Sequence, residues 1–152
     1  VNTPETRPPE RLRALPSRLT NHAALTANRI VDQAFAQAHL RRYHYALLAA
    51  LEEYGPASQA DLGRRTGIDR SDVVATVNDL AGRDLVERAP DPEDRRRNVV
   101  TITAEGREQL DELDRLLARA QDEFLAPLPP ADRRQLIDLL TRLAEHHGGH
   151  PV

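Results

Sequence analysis

The sequence predicts a mainly α-helical fold with one small β-hairpin, on three observations. Apolar residues recur at three- and four-residue spacing over most of the 152 residues, as they do in helices buried along one face. Between residues 58 and 82, two short stretches with polar caps flank Gly67. Residues 85–89 and 98–103 are rich in β-branched and apolar side chains, and the loop Pro90-Asp91-Pro92-Glu93-Asp94 separates them. Helix, turn, helix and hairpin in that order describe a winged helix-turn-helix, and long helical patterns on either side supply its frame.

Composition narrows the alternatives. Apolar residues make up 39 % and aromatics 3 %, with no Met or Trp, so the core is built from Leu, Val and Ala and suits closely packed helices. The absence of cysteine removes disulfides, thiolate metal sites and cysteine nucleophiles. The opening V-N-T-P-E-T-R-P-P-E carries no apolar core of the signal-peptide kind, and no apolar run approaches the ~18 residues of a membrane span. A cytoplasmic protein is expected. Net charge is −3 and every one of the 21 basic residues is arginine. Even residues 58–103 hold eight Arg against nine Asp plus Glu, so any phosphate contact must come from locally placed charge.

Residues 1–9, with three prolines, read as a flexible arm, and 148–152 as a flexible tail. A first helix is expected over residues 10–38 from Leu12, Leu15, Leu19, Ala23, Ile30 and Ala34. Pro16 either starts it or follows a first short turn. The second helix follows the stripe Tyr43, Ala46, Leu47, Ala50, Leu51 and Tyr54 and ends at Gly55-Pro56. Ser58 and Asp61 form a capping-box-like pair opening a short third helix, which Gly67 closes. Asp69 and Asp72 repeat the capping pattern. In the helix they open, Val73, Val77 and Leu80 share the buried face, which leaves Arg70, Ser71, Val74, Ala75 and Asn78 on or near the opposite side. After the hairpin, Thr103 caps a helix with the seam Leu110, Leu113, Leu117, Ala120 and Phe124. Pro127-Leu128-Pro129-Pro130 stops it, and a last helix carries Leu136, Leu140 and Leu143.

The second helix of a helix-turn-helix lies in the DNA major groove, with its first residues at base edges. An ordinary helical hairpin would share the local pattern, and the hairpin beyond it decides between them. Arg95-Arg96-Arg97 stand at or beside its tip, where arginines can enter the minor groove and read its width and negative potential. Asp94 can hold a neighbouring guanidinium in a bidentate pair. The expected DNA contacts are Ser58, Gln59, Arg70, Ser71, Val74, Ala75, Thr76, Asp94, Arg95, Arg96 and Arg97.

The stretch D-L-V-E-R-A-P-D-P-E-D-R-R-R-N-V-V-T-I-T, residues 84–103, resembles the wing of the MarR family of bacterial transcriptional regulators, and the resemblance extends over nearly the whole chain. The family's Asp-x-Arg followed by Val, an apolar residue and Thr is met by Asp94, Arg96, Val100, Ile102 and Thr103. The resemblance implies Arg96 as the minor-groove arginine and Asp94 as its orienting partner. It also implies a homodimeric, ligand-responsive repressor on a palindromic operator, with half-sites ~34–36 Å apart. Residues 10–40 and 104–147 would form the helical dimerisation region and 41–103 the DNA-binding lobe of a single domain. Two positions depart from the pattern. Val74-Ala75 stand where the family often has Thr-Arg, which shifts readout toward thymine methyl groups. Asp84 replaces the glycine usual before L-V-E-R, and Asp enters the left-handed region less readily.

A small phenolic or carboxylate effector is the further implication. Arg18 and His22, four residues apart on the first helix, and His44 on the second offer the matching chemistry, a bidentate partner for a carboxylate and hydrogen bonds for a phenol. His146, His147 and His150 cluster at the C-terminus, but a tail ending G-G-H-P-V makes a poor metal cage, and no metal or cofactor is expected. No P-loop, dinucleotide glycine pattern, H-E-x-x-H or nucleophile elbow is found, which argues against an enzyme. The competing reading is a winged-helix protein-interaction module, which would lack salt-dependent DNA affinity.

Overall fold

A computed structural model describes residues 7–148. Residues 1–6 and 149–152, with His150 and most of the two expected flexible ends, lie outside the described residues. In chain order the elements are α1 (Glu10–Arg13), α2 (Pro16–Ala36), α3 (Arg42–Tyr54), β1 (Ala57–Ser58), α4 (Gln59–Thr66), α5 (Arg70–Gly82), β2 (Val86–Pro90), β3 (Asn98–Ile102), α6 (Ala104–Phe124) and α7 (Pro130–His146).

Both options at Pro16 are realised. A four-residue helix comes first and α2 starts at Pro16, whose missing N–H costs nothing in a first helical turn. The hairpin is larger than expected, since Ala57 and Ser58 pair antiparallel with Val100 and Val99 to give a three-stranded sheet in the order β1-β3-β2. Two residues are too short to show alternation in sequence, and only β3's free edge made them a strand. The sheet ties the entrance of α4 to the wing.

The core joins Phe35 and Leu40 to Leu47, Leu48 and Leu51 of α3, Leu62 of α4, Val73, Val77 and Leu80 of α5, Val86 and Val100 of the sheet, and Leu113 of α6. On α3 the buried face is His44, Leu47, Leu48 and Leu51, at i, i+3, i+4 and i+7. Tyr43 and Tyr54, expected on that stripe, are exposed. The α6 seam runs through Leu116, with Leu117 and Phe124 only partly buried. Along α2 only Ile30, Ala34 and Phe35 are buried, and α7 buries none of its residues.

Asp84 adopts the left-handed conformation at φ 59°. Its own N–H donates to the Ala81 carbonyl at 3.1 Å, and its carbonyl accepts the Thr103 hydroxyl at 2.7 Å. The Thr103 hydroxyl oxygen in turn accepts from the Gly106 N–H at 3.0 Å, capping α6 as expected. One side chain thereby joins the turn into β2 to the start of α6.

Candidate nucleic-acid interface

Helix α5 is placed by burial. Val73, Thr76, Val77 and Leu80 are buried, and Arg70, Ser71, Ala75 and Asn78 face solvent with Val74 half-buried. Thr76 is only 8 % exposed, so its expected role in groove readout is corrected: it lies on the core side of the helix with Val73, Val77 and Leu80. Of the other contacts expected on this helix, Arg70, Ser71 and Ala75 are exposed and Val74 is half-buried. The Asp69 side chain makes no capping hydrogen bond, contrary to the capping pattern read there. Asp72 still places a negative charge in the first turn, where the helix dipole favours it.

The α4 cap forms in part. The Ser58 hydroxyl oxygen accepts from the Asp61 N–H at 3.1 Å, and the hydroxyl donates to the Asp61 carboxylate at 2.8 Å. Asp is one methylene shorter than Glu, and here its carboxylate bonds the Ser58 hydroxyl rather than the Ser58 backbone N–H of a full capping box. That hydrogen bond, followed by the charge of Arg64, holds the Asp61 carboxyl below its ordinary pKa. Gly67 closes α4 in the left-handed region at φ 72°.

The wing loop is shaped by its own aspartates. Asp91 accepts from the Glu93 N–H at 2.9 Å, and Asp94 accepts from the Arg96 N–H at 3.0 Å, two side-chain turns of the kind Asp favours. Backbone bonds Asp91 N–H to Arg97 carbonyl, 2.7 Å, and Arg97 N–H to Asp94 carbonyl, 3.0 Å, close the loop. Asp94 therefore orders the backbone of Arg96 rather than pairing with its guanidinium, a correction to the bidentate expectation. Among the described residues Arg95 and Arg96 make no side-chain hydrogen bond or ion pair, whereas Arg97 donates to the Ser58 hydroxyl at 3.3 Å.

These elements converge. Ser58, Gln59 and Ala60 at the start of α4, Arg70 at the start of α5, and Arg96, Arg97 and Asn98 of the wing line one cleft of about 430 Å³. Three arginines thus line one concavity in a chain of net charge −3.

The MarR family pattern matches residues 38–97, from just beyond α2 through the wing arginines. The HTH-type transcriptional repressor NicR of Pseudomonas putida is 29 % identical over 116 residues, covering 76 % of this chain and 73 % of NicR. The chain is homologous to MarR-family regulators. The structure of Bordetella bronchiseptica BpsR, described for regulation of its DNA binding by 6-hydroxynicotinic acid, is likewise similar to this chain. It superposes with a TM-score of 0.77 at 26 % identity, covering 90 % of this chain and 98 % of BpsR. The PcaV regulator of Streptomyces coelicolor, in complex with its natural ligand, gives 0.73 at 27 % identity over 91 % and 98 % of the two chains. Fold and relatives are those of DNA-binding transcriptional regulators, and among the described residues no helix is long and apolar enough to cross a membrane.

The residues expected to hold an effector are not brought together within one chain. Arg18 and His22 are exposed on the first turns of α2, and His22 to Ala36 spans ~21 Å of helix at 1.5 Å per residue. His44, beyond the far end of α2, is buried at 7 % exposure with both ring nitrogens occupied. Nδ1 accepts from the Arg41 N–H at 2.9 Å and Nε2 lies 2.6 Å from Asp79 Oδ2. Nδ1, as an acceptor, carries no proton, so a neutral ring with its hydrogen on Nε2 satisfies both bonds. Burial pushes the His44 pKa below 6.5 against the opposing pull of Asp79. His44 is a structural link from α3 to α5, which corrects its assignment as a ligand group. Asp79 also pairs with Arg83 at 3.2 Å, and Arg83 donates to the His39 carbonyl at 2.8 Å. This network, invisible to a residue-by-residue reading, closes on a second cleft of about 760 Å³ lined by Asp32, Ala36, His39, Leu40, Arg41, Arg42 and Tyr43. His146 and His147 stack edge to face, and no group of three or more metal-binding side chains is found among the described residues.

Proposed function

We propose that this protein is a sequence-specific double-stranded DNA-binding regulator that acts as a homodimer on a palindromic operator and responds to a small aromatic acid. One observation carries the DNA-binding part: Arg70, Arg96 and Arg97 converge on the cleft beside the exposed face of α5. Basic side chains concentrated where a helix and a wing meet fit a phosphate backbone crossing between them, with α5 in the major groove and Arg95 and Arg96 in the minor groove. The exposed Ala75 and half-buried Val74 offer methyl contacts to thymine, while Arg70 and Ser71 supply hydrogen bonds.

The homodimer is supported by α7 and the first half of α2, where Leu15, Leu19, Ile137, Leu140 and Leu143 are exposed. Two copies pairing through these helices would set the two lobes, residues 41–103 of each chain, against successive half-sites. An aromatic acid is supported by BpsR, whose DNA binding is regulated by 6-hydroxynicotinic acid. In a dimer, Arg18 and His22 of one copy need not depend on their own chain to complete a site.

The test is a mobility-shift series on DNA upstream of the protein's own gene, against random DNA of equal length, with and without 6-hydroxynicotinic acid. Wild type is expected to prefer its own upstream DNA, and Arg96→Ala to lose about tenfold or more in affinity. The acid is expected to weaken the wild-type complex. Equal affinity for both DNAs, or an unaffected variant, would remove the specific claim and favour a protein-interaction module. An acid without effect would remove that effector.

A further inference from the structure

Arg88, in the middle of β2, is an arginine that neither the wing tip nor the recognition helix accounts for. It stands opposite Val100 in the register and shares its strand face with Val86, which is buried in the core. Its side chain therefore leaves the sheet on the side of the helices. There one nitrogen, Nη2, donates to two side-chain amides, the Asn78 Oδ1 of α5 and, at 3.3 Å, the Gln59 Oε1 that opens α4. A single guanidinium nitrogen bears two hydrogens, one for each oxygen.

We propose that Arg88 is a positioning residue that holds Asn78 and Gln59 with their N–H₂ groups turned away from it, so that both present donors to DNA. This rests on the DNA-binding reading above. A free amide can face a partner with either its oxygen or its nitrogen, but arginine has only donors, so both oxygens must point inward. DNA phosphates and the N7, O6 and O4 base positions are acceptors and match the outward donors. Reading adenine with an Asn or Gln needs the amide oxygen for N6–H as well as the nitrogen for N7, and here each oxygen is turned toward Arg88. Asn78 and Gln59 are thereby biased toward phosphate or acceptor-only edges and away from adenine. Arg88 also fixes the spacing between wing, recognition helix and α4, since one group touches all three.

Two measurements test this with the full-length protein. In the free protein, the side-chain amide NMR resonances of Asn78 and Gln59 are expected to shift and to broaden or average in Arg88→Ala, and unchanged resonances would overturn the proposal. On the protein's upstream DNA, Arg88→Ala is expected to lose about tenfold in affinity while the slope of log K against log salt stays as in wild type. Arg88→Lys, which keeps the charge but replaces the two-hydrogen nitrogen of a planar fork with a point charge, is expected to remain impaired. Asn78→Ala is expected to cost less in the Arg88→Ala background than alone. A slope lowered by about 0.9, rescue by lysine, or additive losses would show Arg88 to be a direct phosphate contact and overturn the positioning role while leaving the DNA-binding reading intact. Wild-type protein with no preference for that DNA would defeat both.

Discussion

Single side chains in this protein do their work by what they bond inward. His44 is favoured in its neutral form, because a second ring proton would face the Arg41 N–H and set donor against donor. Burial lowers its pKa from 6.5, and Arg83 and Arg41 add to that effect against Asp79. In the unfolded chain the same ring titrates at its ordinary value and takes up a proton first as pH falls. Folding stability from this site is therefore complete above about 6.5 and is lost as pH falls through the lower folded-state value. Urea denaturation at about pH 7.5 and pH 5.5 is expected to give a less stable wild type at the lower pH, and His44→Ala is expected to flatten that difference. The Asp79 carboxyl resists the upward push of its own partial burial, because the His44 hydrogen bond and Arg83 hold it low, so its loss belongs to a more acidic range. A pH dependence unchanged in His44→Ala would place the titrating group elsewhere.

Elements are joined at points of close approach, and the root of the wing is the tightest. A Cβ on Gly106, in the first turn of α6, would lie 2.1 Å from the Leu85 carbonyl oxygen and 2.8 Å from Ile102 Cγ1. Backbone cannot yield there without moving the entry of β2 or the end of β3. Gly106→Ala is expected to cost about 1–3 kcal/mol in chemical denaturation, despite the better helix propensity of alanine. Gly82→Ala makes the control, since its Cβ would meet nothing within 4 Å. Equal effects of the two would mean that the wing root is not locked to α6. Much at this scale was legible in sequence: the caps at Ser58 and Thr103, the left-handed Gly67, and both strands to within a residue. β1 was not, because two residues carry no period and only the edge of β3 made them a strand. The α3 stripe was displaced because tyrosines read as apolar, while a histidine with both nitrogens satisfied occupied the inner position.

At the scale of the whole molecule, the helices that flank the helix-turn-helix and wing leave apolar surface uncovered. Ile137 and Leu143 are each 57 % exposed, and α7 buries nothing. Covering such a face requires another surface, and in the proposed homodimer a second copy of the chain would supply one with matching symmetry. The double variant Ile137→Asp, Leu140→Asp is expected to sediment as a monomer where wild type sediments as a dimer, with helical content retained because neither side chain belongs to the single-chain core. Wild type sedimenting as a monomer, or the variant as a dimer, would count against pairing through α7. Tenfold or greater loss of DNA affinity in the monomer is the expected companion, since two half-sites are then no longer held together.

The sequence by itself determined the order of the main helices and the hairpin, the family resemblance, and the wing arginines as the concentration of positive charge, because periodicity, capping and turn residues are local properties of the chain. It also set which residues of α5 could be offered outward, from the spacing of Val73, Val77 and Leu80. Tertiary structure alone decided which polar groups were already spent. Asp94 bonds the backbone of Arg96, Thr76 turns to the core, His44 links α3 to α5, and Arg88 reaches Asn78 and Gln59 across two helices. A polar side chain presents to a ligand only what burial and internal hydrogen bonds leave free, and the partners Asp79 of His44 and Asn78 and Gln59 of Arg88 lie 10 to 35 residues away in sequence.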